Sequence, residues 1–237
     1  MSDESRESRT PTPEEITAKI LKDTAEAQAY DSEARRNDAE ADKLLAEAGV
    51  ASITLAKSER IEREELALDK HHHVYVFDKE VNEAHVKECI KQFTQWERLS
   101  PGCHVQLVIN SPGGSVFDGF ALVDYITGML DRGCVVDTHA LGMAASMGGV
   151  LLQAGVTRTM GKNAMLLIHE AQFGAQGSLG QIEDRVKLVK LMHERILTIF
   201  SSRSKMSKMQ IKTKWARTDW WMSAGEALKY GFIDEIR

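Results

Sequence analysis

Several features are missing from this 237-residue chain, and each absence narrows what it does. No apolar run approaches the roughly 20 residues a helix needs to cross a bilayer, so no membrane span is expected. The opening stretch MSDESRESRTPTPEE is polar and charged throughout, which excludes a secretory signal. Cysteine is scarce: Cys89, Cys103 and Cys134 are odd in number and far apart along the chain. They form neither a metal-ligand spacing nor a disulfide framework, and three unpaired thiols fit a reducing cytoplasm best. A net charge of −5 carries no signature of nucleic-acid binding. Neither G-x-x-x-x-G-K-[ST] nor G-x-G-x-x-G occurs, so no nucleotide is held by a recognisable loop. No metal and no cofactor are expected, and no segment repeats at a fixed period.

Charge divides what is present in two. Residues 1–70 hold 18 acids against 11 bases, while residues 71–237 hold 17 against 19. The first segment has few large apolar residues and no aromatic except Tyr30, so it cannot bury a core of its own. It does carry helix signals. Thr12-Pro13-Glu14-Glu15 reads as an N-cap, a proline at the first helical position and a capping-box glutamate. Ile16, Ile20, Leu21, Ala27, Tyr30 and Ala34 make a thin helical stripe, too weak for a sustained heptad. Gly49 is expected to end this helix, and a second is expected from about Ser52 to Asp69. The segment reads as an acidic extension, helical or partly disordered. It is either a solvated tail or an arm for self-association or partner binding.

The folded domain is expected over residues 71–237. Val74–Phe77, His104–Ile109, Cys134–Ala140 and Met165–Ile168 read as strands. Glu83–Trp96, about Phe117–Leu130 and a short stretch at 150–154 read as helices. Leu179–Ser202 predicts a long amphipathic helix, with Ile182, Val186, Val189, Met192, Ile196 and Ile199 spaced by three and four. Strands alternating with helices predict an α/β fold with parallel pairing. Met192 and Ile196 are expected to form an exposed apolar patch, which argues for an oligomer.

The chemistry concentrates around Leu141-Gly-Met-Ala-Ala-Ser-Met-Gly-Gly149. Residues with almost no side chain surround Ser146, which lets the backbone turn sharply from strand to helix and present a hydroxyl. The plainer reading is a close-packing site at a helix start. A nucleophilic serine needs a base and a group that fixes the base's tautomer. His169, at the end of an apolar strand where a loop begins, is the best candidate base; His139 is its only serious rival. Asp219 is the candidate orienting group, and Trp220 and Trp221 are expected to bury it. The Pro112-Gly-Gly114 turn supplies backbone N–H groups without an obstructing Cβ, as an oxyanion site requires.

Taken in order, Asn110-Ser-Pro-Gly-Gly-Ser, Gly142-Met-Ala-Ala-Ser-Met-Gly, Ile168-His169, Gly174-Ala-Gln-Gly and Asp219-x-x-Met-Ser-Ala-x-Glu-Ala-x-x-Tyr-Gly-Phe-Ile-Asp234 resemble the proteolytic subunit of the Clp protease. The resemblance runs from about Val74 to Arg237. It implies a crotonase-like, ClpP-type α/β fold of stacked ββα units, here behind an N-terminal charged helical extension. It implies a serine endopeptidase with a Ser146–His169–Asp219 triad and an oxyanion hole formed by the N–H groups of Gly114 and Met147. It also implies a homo-oligomeric ring and a polypeptide substrate fed by an ATP-driven AAA+ unfoldase, with ATP used only by that partner.

Three departures stand out. Gln106 and Val108 occupy positions where the family has tyrosines that help form the unfoldase-docking pocket. Arg217 and Thr218 replace an acidic residue and an arginine used in ring-to-ring contact. Residues 1–70 do not resemble the family's short N-terminal loop. An acidic arm on a Clp-like protease also suggests a phage head-maturation protease, with capsid or scaffold protein as partner. The remaining alternatives are a non-proteolytic acyl-CoA enzyme of the wider fold and a scaffolding protein with an idle triad.

Overall fold

The structure, a computed structural model, describes residues 11–237. Its contacts divide the chain between Leu66 and Ala67. The first unit is a single helix, α1 (Pro13–Leu66), 54 residues long with no buried residue. Thr12 N–H donates to Glu15 Oε2 at 2.8 Å and Glu15 N–H donates to Thr12 Oγ1 at 3.3 Å. This reciprocal pair satisfies groups that the first turn cannot. The expected stop at Gly49 does not occur, and the helix continues through it. A glycine inside a helix costs about 1 kcal/mol relative to alanine. That is too little to break a helix laced by ion pairs one turn apart, such as Asp31–Arg35 at 2.7 Å and Arg60–Glu64 at 3.1 Å.

The second unit is the α/β domain. Its first strands are β1 (Val74–Phe77), β2 (His104–Ser111) and β3 (Val135–Ala145), and they pair in parallel. Parallel neighbours need a crossover, and α2 (Glu83–Leu99) and α3 (Val116–Asp131) supply it. Alternation along β2 sends Val105, Leu107 and Ile109 into the core, each wholly buried. Val86, Cys89, Phe93 and Trp96 of α2, with Leu122, Ile126 and Met129 of α3, join the same core. Each such side chain contributes about 1.5–3 kcal/mol by leaving water.

β3 is the pivot of the sheet. Thr138–Ala140 pair with β4 (Arg158–Met160), whereas Met143–Ala145 pair with β5 (Met165–Ile168). The strand changes partner at Leu141-Gly142. Gly142 has φ +74°, and a Cβ there would lie 2.7 Å from Asn110 Oδ1, so the bend depends on glycine. The same Asn110 oxygen accepts from Met143 N–H at 3.2 Å. The sequence pattern ends this strand at Ala140 because the bend looks like a turn.

Beyond the pivot lie α4 (Met147–Leu152), α5 (Leu179–Ser202), α6 (Lys208–Trp215), β6 (Trp220–Ser223), α7 (Ala224–Tyr230) and β7 (Glu235–Ile236). β7 extends the parallel row beside β4, and β6 runs antiparallel to β5. Strands β4, β6 and β7 are two to four residues long, too short to show a period, and none was expected. One further detail departs from expectation. Ile196 of α5 is buried within its own chain, and the exposed apolar residues of that helix include Leu188 and Leu191.

Candidate active site

Ser146 stands between the end of β3 and the start of α4 with φ 54° and ψ −119°. Non-glycine residues rarely adopt such a backbone, which costs on the order of 1–3 kcal/mol unless its surroundings enforce it. Two neighbours do so. Ser146 N–H donates to Leu167 O of β5 at 2.9 Å. From the other side the 112–114 turn presses so closely that a Cβ on Gly113 would lie 2.6 Å from Ser146 Cβ and 2.7 Å from Ala145 O. The small residues of this stretch therefore do serve close packing. That packing also holds the serine in the strained turn seen at nucleophilic serines of other hydrolases.

Two further residues, Gly114 and Met147, border the same cavity as Ser146. Val81 N–H donates to Gly113 O, and Ser115 N–H donates to Val81 O, each at 2.7 Å. Gly114, between them, gives neither backbone group to that bridge, and its N–H is left outside it. Its φ of +143° and the 2.2 Å that would separate an added Cβ from Val81 O both demand glycine. Met147 N–H opens α4, and the first N–H groups of a helix have no partner within it.

Gly114, Ser146, Met147 and His169 line one cavity of about 200 Å³. Its remaining wall is largely apolar, with Val116 from α3, Val150 from α4, Ile168 from β5, and Ile196 and Phe200 from α5. The sequence pattern assigns neither of the last two to the site: it places Ile196 in an exposed patch and does not single out Phe200.

His169 follows directly on β5, and Asp219 directly precedes β6. Ile168 lies opposite Trp220 in the antiparallel pair, so the register carries His169 to Asp219. His169 Nδ1 and Asp219 Oδ1 are 3.6 Å apart, with side chains 17% and 58% exposed. That separation is longer than a hydrogen bond, and a movement of less than about 1 Å closes it. Trp220 and Trp221 do not bury Asp219 as expected. Trp220 packs edge-on against Tyr230 and Phe232, with ring centroids 5.3 and 5.9 Å away, and Trp221 is exposed.

The rival His139, and His193 of α5, are engaged elsewhere. His139 Nδ1 is 2.8 Å from Thr159 Oγ1, and burial, then the nearby Arg237, hold its pKa below the usual histidine value. His193 packs on Trp215, with ring centroids 4.9 Å apart, and burial lowers its pKa too. Neither lines the Ser146 cavity. Among the described residues no group of three or more His, Cys, Asp or Glu side chains is arranged to hold a metal ion.

The Clp protease family model matches residues 56–237. The chain is 37% identical over 150 residues to an ATP-dependent Clp protease proteolytic subunit of Porphyromonas gingivalis, covering 61% of this chain and 64% of that one. It is 35% identical over 149 residues to the protein of that name in Bacteroides fragilis, covering 61% and 69%. It is 40% identical over 133 residues to the ATP-dependent Clp protease proteolytic subunit 2 of Tropheryma whipplei, covering 55% and 72%.

Proposed function

Since the chain belongs to the Clp protease family, we propose that it is a serine endopeptidase in which Ser146, His169 and Asp219 form the catalytic triad. Ser146 Oγ attacks the peptide carbonyl while His169 accepts its proton and later returns it to the leaving amine. Asp219 holds the imidazole in the tautomer that leaves the serine-facing nitrogen unprotonated. The N–H groups of Gly114 and Met147 take the negative charge that develops on the carbonyl oxygen. This chemistry needs no cofactor; ATP enters only through a partner. The observation that carries the reading is the single cavity shared by Ser146, His169, Gly114 and Met147, with Asp219, in the adjoining pocket that His169 also lines, 3.6 Å from the imidazole.

A fluorophosphonate probe followed by mass spectrometry tests this directly, because it reports both the identity and the activation of the nucleophile. The adduct is expected on Ser146 alone. An unlabelled Ser146, or labelling spread over other serines, would sink the mechanism. It would also favour an acyl-CoA enzyme, which incubation with acyl thioesters would then reveal.

The apolar wall made by Val116, Val150, Ile168, Ile196 and Phe200 sets a preference. Peptides with Leu, Met or Phe before the cleaved bond should be hydrolysed roughly tenfold or more faster than peptides with Asp or Glu there, since a carboxylate entering this wall loses its water. Equal kcat/KM for Leu and Asp substrates would rule out this cavity as the specificity pocket.

The enzyme acts as a homo-oligomeric ring in the cytoplasm and receives polypeptide from an AAA+ unfoldase or from a larger assembly. Exposed Leu188 and Leu191 on α5 support assembly, and three free cysteines suit a reducing compartment. Among the described residues no helix is long and apolar enough to cross a membrane. The acidic arm recruits substrate or partner. A chain starting at Asp69 should therefore keep the oligomer mass by light scattering and cleave short peptides at a similar rate, while processing of folded protein substrate weakens. Loss of the oligomer on truncation would make the arm a structural staple instead.

A further inference from the structure

β2 and β3 run in register from His104 opposite Val135. Immediately before each of these residues stands a cysteine. The Sγ atoms of Cys103 and Cys134 are 3.9 Å apart, and both residues are buried. Val135 N–H donates to Cys103 O at 3.0 Å, which ties the two segments at this point. Neighbouring strands lie about 4.8 Å apart, inside the Cα range a disulfide spans. The sulfurs need to approach by about 2 Å to reach bonding distance, within the reach of small side-chain rotations.

We propose that Cys103 and Cys134 are an oxidisable dithiol, a redox staple between the two strands that lead to the Gly114 turn and to Ser146. With hydrogen peroxide as oxidant, one thiolate attacks a peroxide oxygen, the O–O bond breaks, and a sulfenic acid and water result. The second thiol attacks that sulfur, the S–S bond forms, and a second water leaves. Two electrons pass from the sulfurs to the peroxide, and both thiol protons end in water. The staple closes slowly at neutral pH. Burial, then the contact with Cys134, pushes the Cys103 thiol up to about 11, and only the thiolate reacts. β2 leads from this end to the Gly114 turn, and β3 leads to Ser146. A covalent link here restricts the unfolded chain across a separation of 31 residues. It should raise the midpoint of thermal unfolding by roughly 5–15 °C.

The full chain is exposed to hydrogen peroxide at pH 8.5, quenched, denatured, alkylated and digested. The expected result is one linked peptide pair joining Cys103 to Cys134, alkylation of Cys89 only, and a higher unfolding midpoint that a dithiol reductant reverses. Cys103→Ala should lose both the link and the shift, and Cys89→Ala should keep both. Alkylation of all three thiols after prolonged exposure, sulfinic acid at either member, or a link through Cys89 would overturn the dithiol. A linked pair with an unchanged midpoint would overturn the staple. None of these readouts uses peptide cleavage, so the test is independent of the proposed activity.

Discussion

A chain in which Ser146 is replaced by alanine is expected to hydrolyse peptides at least about 10⁴-fold more slowly than the parent. The hydroxyl is the only group in the cavity that the proposed mechanism uses to form a covalent bond with substrate. His169→Ala should be nearly as severe, and the double variant little worse than either, because the two act as a unit. Asp219→Asn should lower kcat strongly and leave the unfolding midpoint almost unchanged, since the Asp219 side chain is more than half exposed. Ser146→Gly distinguishes strain from chemistry. Its activity should be as low as that of Ser146→Ala, but a glycine relaxes the positive φ of 54° and should gain on the order of 1 kcal/mol of stability. Initial rates on an unstructured fluorogenic peptide, with denaturant unfolding of each variant, check all five. Near-normal cleavage by Ser146→Ala would refute the assignment.

Arg158→Met is expected to cost roughly 3–5 kcal/mol of stability. Arg158 opens β4 with its side chain only 7% exposed. Its guanidinium donates to Asp234 Oδ2 at 3.0 Å and Asp234 Oδ1 at 2.6 Å. It also donates to Gln153 Oε1 at 2.8 Å and to the carbonyls of Gly231, Phe232 and Arg203. The side chain therefore joins β4, the end of α5 and the turn after α7 through hydrogen bonds and the ion pair with Asp234. Methionine fills much of the volume but satisfies none of these acceptors, and unmet acceptors in a buried place are what make the loss large.

The pH dependence of this pair has a definite sign. Burial raises the Asp234 pKa, but the hydrogen bonds and charge of Arg158 outweigh it, and the net shift is downward. A carboxyl with a depressed folded-state pKa contributes stability above its unfolded pKa, near 3.9, and loses it as pH falls through the folded value. The parent should thus lose stability below about pH 4, and Arg158→Met should show a shallower acid limb. Urea midpoints at pH 7 and pH 3 on both chains decide it; a variant within 1 kcal/mol of the parent at pH 7, by the same order-of-magnitude measure, would contradict the network's importance.

What the sequence by itself determined is chemistry that is local in the chain. The glycines and alanines around Ser146 declare a tight strand-to-helix turn because no larger residue could approach so closely, and Thr12-Pro13-Glu14-Glu15 declares a helix start because capping uses neighbours three apart. Long periodic elements such as Leu179–Ser202 were legible with their boundaries for the same reason. What only the tertiary structure decided depends on pairing between segments distant along the chain. The four-residue β6 is too short to announce itself, yet its antiparallel register against β5 is what brings Asp219 to His169. Ile196 reads in the sequence as part of an exposed patch, and Phe200 does not stand out, until α5 places both in the wall of the Ser146 cavity. Cys103 and Cys134 look unrelated until the parallel register of β2 and β3 sets them side by side. Gly49 looks like a helix stop, but its cost of about 1 kcal/mol is outweighed by the continuous hydrogen bonding of α1. Register and crossover are collective properties of the sheet, and a one-dimensional pattern with period two or 3.6 reports which face is apolar, not which strand lies next to it.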